Sequence, residues 1–132
     1  MTHLTMFSTP VFIEDVIDTD SEKEALIKLA YEIKLKEPSR QKTNVGGYQT
    51  GGIQNSKEFQ KLIGKLQSII NKNLDAYAFD HKLEIKVRNA WLNINSNGNK
   101  NRPHVHPCSE FACVYYLKTP EDCGNLVLTK HF

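Results

Sequence analysis

The stretch KLEIKVRNAWLNINSNG, residues 82–98, decides the fold class because the hydrophobic period changes within it. Side chains two residues apart lie on the same face of a strand, and the apolar residues alternate here until the chain reaches an Asn/Gly turn at residues 96–99. Upstream, apolar residues recur every three or four positions, which is the period of a helix that faces a core. The order of these patterns predicts helices first and strands afterwards, an α+β class rather than alternating βαβ units.

Two helices are predicted before this change of period. Residues 18–37, DTDSEKEALIKLAYEIKLKE, offer Thr19, Asp20 or Ser21 as the cap, carry apolar residues at helical spacing and end before Pro38. A longer helix is predicted from a cap at Ser56 to Tyr77, which is about six turns. Each helix has one apolar stripe, so we expect both to pack against the sheet that the later strands form.

The remaining segments are predicted to be a loop and several strands. Residues 39–55, SRQKTNVGGYQTGGIQN, carry two Gly-Gly pairs and few apolar residues, which predicts a shaped loop; the phosphate-binding spacing GxxxxGK[ST] is absent from it. Residues 7–17, FSTPVFIEDVI, predict an edge strand or an extended lead-in, because Pro10 cannot donate to a ladder. Residues 104–119 and 125–132 are predicted as later strands, joined by the turn PEDCG.

Composition limits the class of protein. The 132 residues are 39% hydrophobic and 24% charged, which predicts one soluble domain over residues 1–132 with no apolar run long enough to span a membrane. The 17 basic and 15 acidic residues give a net charge of +2 and are scattered, so neither a nucleic acid nor a membrane is an expected partner. The chain starts without a secretory signal pattern, and its three cysteines fit neither a disulfide framework nor a CxxC site, so we expect free thiols and a cytoplasmic location.

A pair of histidines stands in the segment NKNRPHVHPCSEFACVYYL, residues 99–117. In a strand, His104 and His106 lie on the same side, so their imidazoles can chelate one metal ion. Two imidazoles are only part of a ligand shell, and a carboxylate or a third histidine must complete it. Glu110, four residues after His106, and His131 near the end are the candidates for that ligand. The simpler interpretation, a histidine pair that holds no metal tightly, stays open.

The spacing of Gly98, His104, His106 and Glu110 resembles the first metal-binding motif of cupins, in which a turn ending in glycine leads into a strand that bears HxH and a glutamate. The closing glycine of that motif is Leu117 here, and the second cupin motif has no counterpart. This resemblance implies, as one alternative, a cupin-like metal-binding protein that uses the two histidines and Glu110.

A second resemblance covers more of the chain. The segments MFSTPVFIEDV, GGYQTGGI and AWLNINSNGNKNRPHVHPCSEFACVYYLKTPEDCGNLVL resemble the 2-oxoglutarate and Fe(II)-dependent oxygenase family known from cyanophages and marine bacteria, over residues 6–128. The resemblance implies a prolyl-hydroxylase-like double-stranded β-helix, related to the cupin jelly roll, with Fe(II) and 2-oxoglutarate as cofactors. His104 and His106 would be the first two iron ligands, with His106 where relatives carry an acid. The implied activity is hydroxylation of a small-molecule or peptide substrate.

Trp91, Asn93 and Tyr115 are candidates for lining a substrate cavity beside the histidines. The alternative, which the burial typical of large aromatic residues favours, places Trp91 and Tyr115 in the core and has Asn93 bond the backbone at the turn. The family's distal histidine and its basic residue for 2-oxoglutarate are not found, and we count about five strands where a closed jelly roll has about eight. We therefore expect two helices packed on an open part of a jelly-roll sheet, in a domain that lacks the family's last strands. An open edge also allows a non-catalytic module that pairs with another chain, such as a second copy.

Overall fold

The computed structural model of the chain describes residues 9–16, 18–74 and 84–129. Its elements, in chain order, are α1 (Asp20–Lys36), β1 (Asn44–Val45), β2 (Tyr48–Gln49), a 3-10 turn (Lys57–Phe59), α2 (Gln60–Asn73), β3 (Asn93–Ile94) and β4 (Lys100–Asn101). Two helices with short antiparallel strands confirm the α+β class. The described strands form two two-stranded pairings, and the double-stranded β-helix stays a prediction.

Helix α1 begins with a complete capping box. The Thr19 hydroxyl accepts a hydrogen bond from the Glu22 backbone N–H at 3.2 Å, and the Glu22 carboxylate accepts one from the Thr19 N–H at 3.2 Å. These reciprocal bonds satisfy two amide groups that have no partner inside the helix. The helix ends where Glu37 turns to an extended conformation before Pro38, as expected of a residue that precedes proline. The predicted helix at residues 18–37 is confirmed.

Replacing Thr19 with alanine is expected to lower the free energy of unfolding by about 1 kcal/mol, because the Glu22 N–H loses its acceptor. Urea denaturation followed by circular dichroism measures the loss. Ser56→Ala is the matched control, since Ser56 stands at the start of the second helical segment but makes no capping bond to the backbone. Equal losses in the two variants would contradict a specific role for the Thr19 cap.

The second predicted helix is confirmed over most of its length. The chain enters it through the 3-10 turn that follows Ser56, and α2 continues to Asn73. The predicted continuation to Tyr77 lies outside the described residues. Phe59 is fully buried at the junction of the turn and the helix, and Leu62 is buried one turn later.

The interpretation of residues 39–55 as a loop holds for most of the segment, but it missed two short strands that pair with the later chain. Strand β1 pairs antiparallel with β4, with Asn44 opposite Asn101, and β2 pairs antiparallel with β3, with Tyr48 opposite Ile94. The backbone partners are far apart in sequence, so local composition carries no sign of them.

This antiparallel pairing continues beyond the short strands. The Thr50 N–H donates to the Leu92 carbonyl at 3.0 Å, and the Ile53 N–H donates to the Ala90 carbonyl at 2.8 Å. The Thr50 hydroxyl also accepts a hydrogen bond from the Leu92 N–H at 2.9 Å. Residues 43–53 and 90–102 therefore lie side by side, and residues 84–89 of the predicted strand are not assigned to a strand.

The pairing is interrupted by a turn that packs on a Gly-Gly pair. The Asn99 N–H donates to the Ser96 carbonyl at 3.0 Å, which confirms the predicted turn there. Opposite it, Gly46 has a φ of +76°, a left-handed conformation that favours glycine. A Cβ atom at Gly46 would meet the Asn99 side chain, and one at Gly47 would meet the Asn95 side chain. The first Gly-Gly pair therefore makes room for the turn.

Several predicted strands are absent from the described residues. Neither residues 104–119 nor 125–129 are assigned to a strand, and these predictions are wrong for the described chain. A period of two indicates an extended conformation, but a strand also needs a regular ladder with a neighbouring strand, and the described strands pair only as β1 with β4 and β2 with β3. Residues 9–16 likewise form no strand, which leaves the alternative of an extended lead-in, and Glu14 in this segment accepts hydrogen bonds from Lys72 and Asn73 on α2.

The buried apolar residues gather around the Gly-rich segment and the start of α2; they are Ala30, Tyr48, Ile53, Phe59 and Leu62. Helix α2 also binds the extended chain through the Gln67 amide, which donates to the Ile85 carbonyl at 2.9 Å and accepts from the Val87 N–H at 2.8 Å. No helix within the described ranges is both long and apolar enough for a membrane span.

Candidate metal centre

The two histidines lie next to each other. The ring centroids of His104 and His106 are 4.9 Å apart, and the ring planes meet at 82°. His104 is exposed and His106 is half-buried. The Trp91 ring lies beside His106 with a centroid distance of 5.6 Å and a tilt of 42°, so it covers one side of that imidazole. The surrounding backbone is not a regular strand, but the residue spacing brings the rings together as predicted.

The hydrogen bond of His104 determines which of its ring nitrogens can bind a metal ion. Its Nδ1 lies 2.8 Å from the Arg102 carbonyl oxygen. A carbonyl oxygen only accepts hydrogen bonds, so Nδ1 carries the proton and donates. In the neutral imidazole, Nε2 then bears the lone pair, which is the tautomer found in metal-binding histidines whose other nitrogen bonds a carbonyl.

The separation of the two rings fits a shared metal ion. With ligand nitrogens about 2.0–2.1 Å from the ion, two imidazoles at neighbouring tetrahedral or octahedral positions have centroids roughly 4.5–5.2 Å apart. The observed 4.9 Å falls within this interval. Imidazole is a suitable donor for iron, zinc, copper and nickel, so the pair by itself does not select one of them.

A third ligand is not brought to the pair by the described residues. Within residues 9–16, 18–74 and 84–129, no group of three His, Cys, Asp or Glu side chains is arranged to hold a metal ion. Glu110 is exposed, and its role as a ligand stays a prediction. His131, the other candidate, lies outside the described residues. Of the predicted ligands, the described structure therefore brings together only His104 and His106.

The three predicted substrate-lining residues have different surroundings. Trp91 contacts His106, so it lies beside the candidate metal site, and 38% of its surface is exposed to solvent. Asn93 is an exposed residue of β3, opposite Gln49. The Tyr115 hydroxyl donates to the Asp18 carboxylate at 2.5 Å. For all three, the role in substrate binding stays a prediction.

Asp18 is the centre of a polar cluster that sequence reasoning missed. Its side chain is 4% exposed, forms an ion pair with Lys65 of α2 and accepts the hydrogen bond from Tyr115. The Lys65 ammonium, and next the Tyr115 hydroxyl, lower the pKa of the Asp18 carboxyl. The cluster connects three parts of the chain: Asp18 precedes α1, Lys65 belongs to α2, and Tyr115 follows the histidines. It therefore helps to hold the histidine segment against the helices. No signal in the sequence indicates that these three residues meet.

Replacing Tyr115 with phenylalanine is expected to lower the free energy of unfolding by about 1–2 kcal/mol at neutral pH, because a hydrogen bond to a charged acceptor is lost. Burial, and then the hydrogen bond to Asp18, raise the pKa of Tyr115 to about 12. Because the pKa is raised in the folded protein, the contribution of the Tyr115 hydroxyl to the free energy of unfolding is fully present below the ordinary pKa of about 10. It is lost as the pH rises towards 12.

Alkaline unfolding curves of the wild type and Tyr115→Phe test this expectation, and the difference between them should shrink above pH 10. The adjacent Tyr116 is exposed, so Tyr116→Phe is the matched control and should change stability by less than about 0.5 kcal/mol. A difference between wild type and Tyr115→Phe that stays constant up to pH 12 would contradict the assigned hydrogen bond.

The geometry thus defines a small α+β protein with a candidate metal site built from two adjacent histidines. Residues 89–131 match the model of a family described as "Putative 2OG-Fe(II) oxygenase". The match covers about a third of the chain and contains every predicted site residue, which supports a relationship to this family over that segment. Comparison with curated proteins and with solved structures gives no match.

Proposed function

We propose that the segment matched by the oxygenase family carries part of an Fe(II) site of the 2-oxoglutarate-dependent type, with His104 and His106 as two of its ligands. The observation that carries this proposal is the ring separation of 4.9 Å together with the free Nε2 of His104. The family match supports iron and 2-oxoglutarate as the cofactors.

Each residue near the pair has a defined task in this proposal. The Arg102 carbonyl holds the His104 ring in one orientation and one tautomer, so less entropy is lost when the ring binds a metal. Trp91 shields one side of His106 from water and leaves an apolar surface on which a substrate can rest. Iron in such a site, with 2-oxoglutarate and dioxygen, supplies the oxidising chemistry that hydroxylates a C–H bond.

Anaerobic reconstitution of the full chain with Fe(II), followed by succinate measurement after addition of 2-oxoglutarate and air, tests the proposal. We expect close to one bound iron per chain and succinate above the level of an iron-free control. Iron binding without succinate would favour the cupin-like alternative on His104, His106 and Glu110. A chain that retains less than about a tenth of an equivalent of iron, zinc or nickel would contradict both.

The alternative of an assembly module is supported by a different observation. Leu126, Val127 and Leu128 are consecutive, 59–75% exposed, and have no backbone partner among the described residues. An exposed apolar segment without a backbone partner can pair with a strand of another chain, and we propose a second copy of the chain as the partner. Analytical ultracentrifugation at increasing concentration tests it: a dimer that Val127→Lys returns to monomer would support pairing, and a monomer at all concentrations would contradict it.

A further inference from the structure

A polar cleft opens between the last turn of α1 and the turn that packs on Gly46 and Gly47. Its volume is about 330 Å³, and the two glycines, Tyr48 and Ile94 form part of its wall. Neither histidine of the candidate metal site lines it. Because the glycines carry no side chains, the Asn99 and Asn95 side chains pack directly on the main chain at this wall.

The side chains around this cleft are rich in unused hydrogen-bond donors. The Asn99 Oδ1 already accepts a hydrogen bond from the Ser96 N–H at 2.8 Å, so the Asn99 amide nitrogen is the group still able to bind a ligand. Within the described part of the chain, the Ser96 hydroxyl, the Gln41 amide and the Lys34 ammonium make no hydrogen bond or ion pair. Lys34 is the only charged side chain among the described lining residues, so the cleft carries positive charge.

Tyr48 adds an unusual buried group to this wall. The residue is 7% exposed, and its hydroxyl has no hydrogen-bond partner among the described residues. Burial, and then the charge of Glu37, raise the pKa of Tyr48, so the hydroxyl keeps its proton and can donate. A buried polar group without a partner costs about 1–3 kcal/mol, which an acceptor oxygen would offset. Glu37 itself is exposed and does not line the cleft.

We propose that this cleft binds the oxyanion of a small molecule, a carboxylate or a phosphate group. Lys34 attracts the anion, and the Asn99 amide and the Ser96 hydroxyl hydrogen-bond it. The Tyr48 hydroxyl is buried in the free protein, and in this proposal it becomes the third donor when the anion enters and uncovers it. One cation and several neutral donors, without a carboxylate in the wall, complement an oxygen-rich anion. The proposal does not rest on iron binding, because its residues lie outside the histidine pair.

The test is an NMR titration of the full chain, freed of metal with EDTA and exchanged into buffer of constant ionic strength so that screening does not change. The probes are inorganic phosphate and sodium acetate, added in separate experiments. We expect the amides of Gly46, Gly47 and Asn99 to shift in a saturable way with a Kd on the order of 1 mM for at least one probe. The probe with the lower Kd identifies the bound group as a phosphate or a carboxylate.

Lys34→Met is expected to weaken this binding at least about fivefold, because the charge-assisted contact is lost. Lys36→Met is the matched control, since Lys36 belongs to the same last turn of α1 but does not line the cleft, and it should leave Kd within about twofold. Tyr48→Phe should weaken binding while the melting temperature without ligand stays equal or rises, because the unpaired hydroxyl is removed.

Three results would overturn the proposal. The first is the absence of saturable shifts with either probe, and the second is equal weakening by Lys34→Met and Lys36→Met, which would indicate diffuse attraction. An unchanged Kd in Tyr48→Phe would overturn the part assigned to that hydroxyl.

Discussion

Replacing both His104 and His106 with alanine is expected to reduce bound Fe(II) or Zn(II) from about one equivalent to less than a tenth, because the described residues offer no other pair of adjacent imidazoles. Each single replacement should weaken binding at least about tenfold, since one ligand then remains. Metal content after gel filtration, and competition with a chromophoric chelator, measure these losses. Succinate formation should fall in parallel with the iron content.

Cys108→Ser is the matched control for this experiment. Cys108 is an exposed residue two positions after His106, and no three-ligand group includes it in the described structure, so its loss should leave affinity within about twofold. Circular dichroism must show the same spectrum for all variants. If the double alanine variant keeps the metal content of the wild type, the site lies elsewhere in the chain and the histidine pair is not a ligand set.

The tautomer of His104 gives an independent measurement. In the metal-free protein, nitrogen-15 spectra at a pH where the ring is neutral should show a proton on Nδ1 and none on Nε2, because Nδ1 donates to the Arg102 carbonyl. Metal addition should then shift the Nε2 signal. A protonated Nε2 in the neutral ring would mean that the Arg102 contact is not a donated hydrogen bond, and the argument for a prepared ligand would fail.

The features predicted correctly from the sequence are those that depend on neighbours in the chain. The cap of α1, which is Thr19 among the three candidates, the entry into α2 and the turn at Ser96 each form between residues three positions apart, so composition and spacing indicate them. The adjacency of His104 and His106 follows from their two-residue spacing in an extended chain.

The features that were missed depend on contacts between distant segments. Residues 39–55 are poor in apolar side chains, yet backbone bonds to residues 90–102 hold their central part, and a pattern of side chains does not reveal such bonds. The cluster of Asp18, Lys65 and Tyr115 joins residues 47 to 97 positions apart, so no local signal predicts it. For the same reason, alternation alone could not show whether the segments after His106 have a partner strand.

Replacing Phe59 in the core is expected to cause the second large effect, a loss of stability. Phe59 is the largest fully buried side chain of the described residues, with no exposed surface. The two buried apolar residues on the helices, Ala30 and Leu62, have smaller side chains. Deleting a buried phenylalanine to alanine removes its transfer free energy and leaves a cavity, which together cost about 3–5 kcal/mol. A domain of this size has a total stability of about 5–15 kcal/mol, so the loss is a large share of it.

Phe59→Ala is therefore expected to lower the urea midpoint strongly or to leave the chain partly unfolded at 25 °C. Phe59→Leu retains most of the side-chain volume and should cost about 1–2 kcal/mol, which keeps the measurement within range if the alanine variant does not fold. Leu35→Ala is the control, because Leu35 is 87% exposed on α1 and its loss should change stability by less than about 0.5 kcal/mol. Since Phe59 lies between the Gly-rich segment and α2, its loss should also loosen the residues that pair with 90–102, and hydrogen exchange at Thr50 and Ile53 should accelerate. If Phe59→Ala and Leu35→Ala cost the same, the junction of the 3-10 turn and α2 is not the centre of the core.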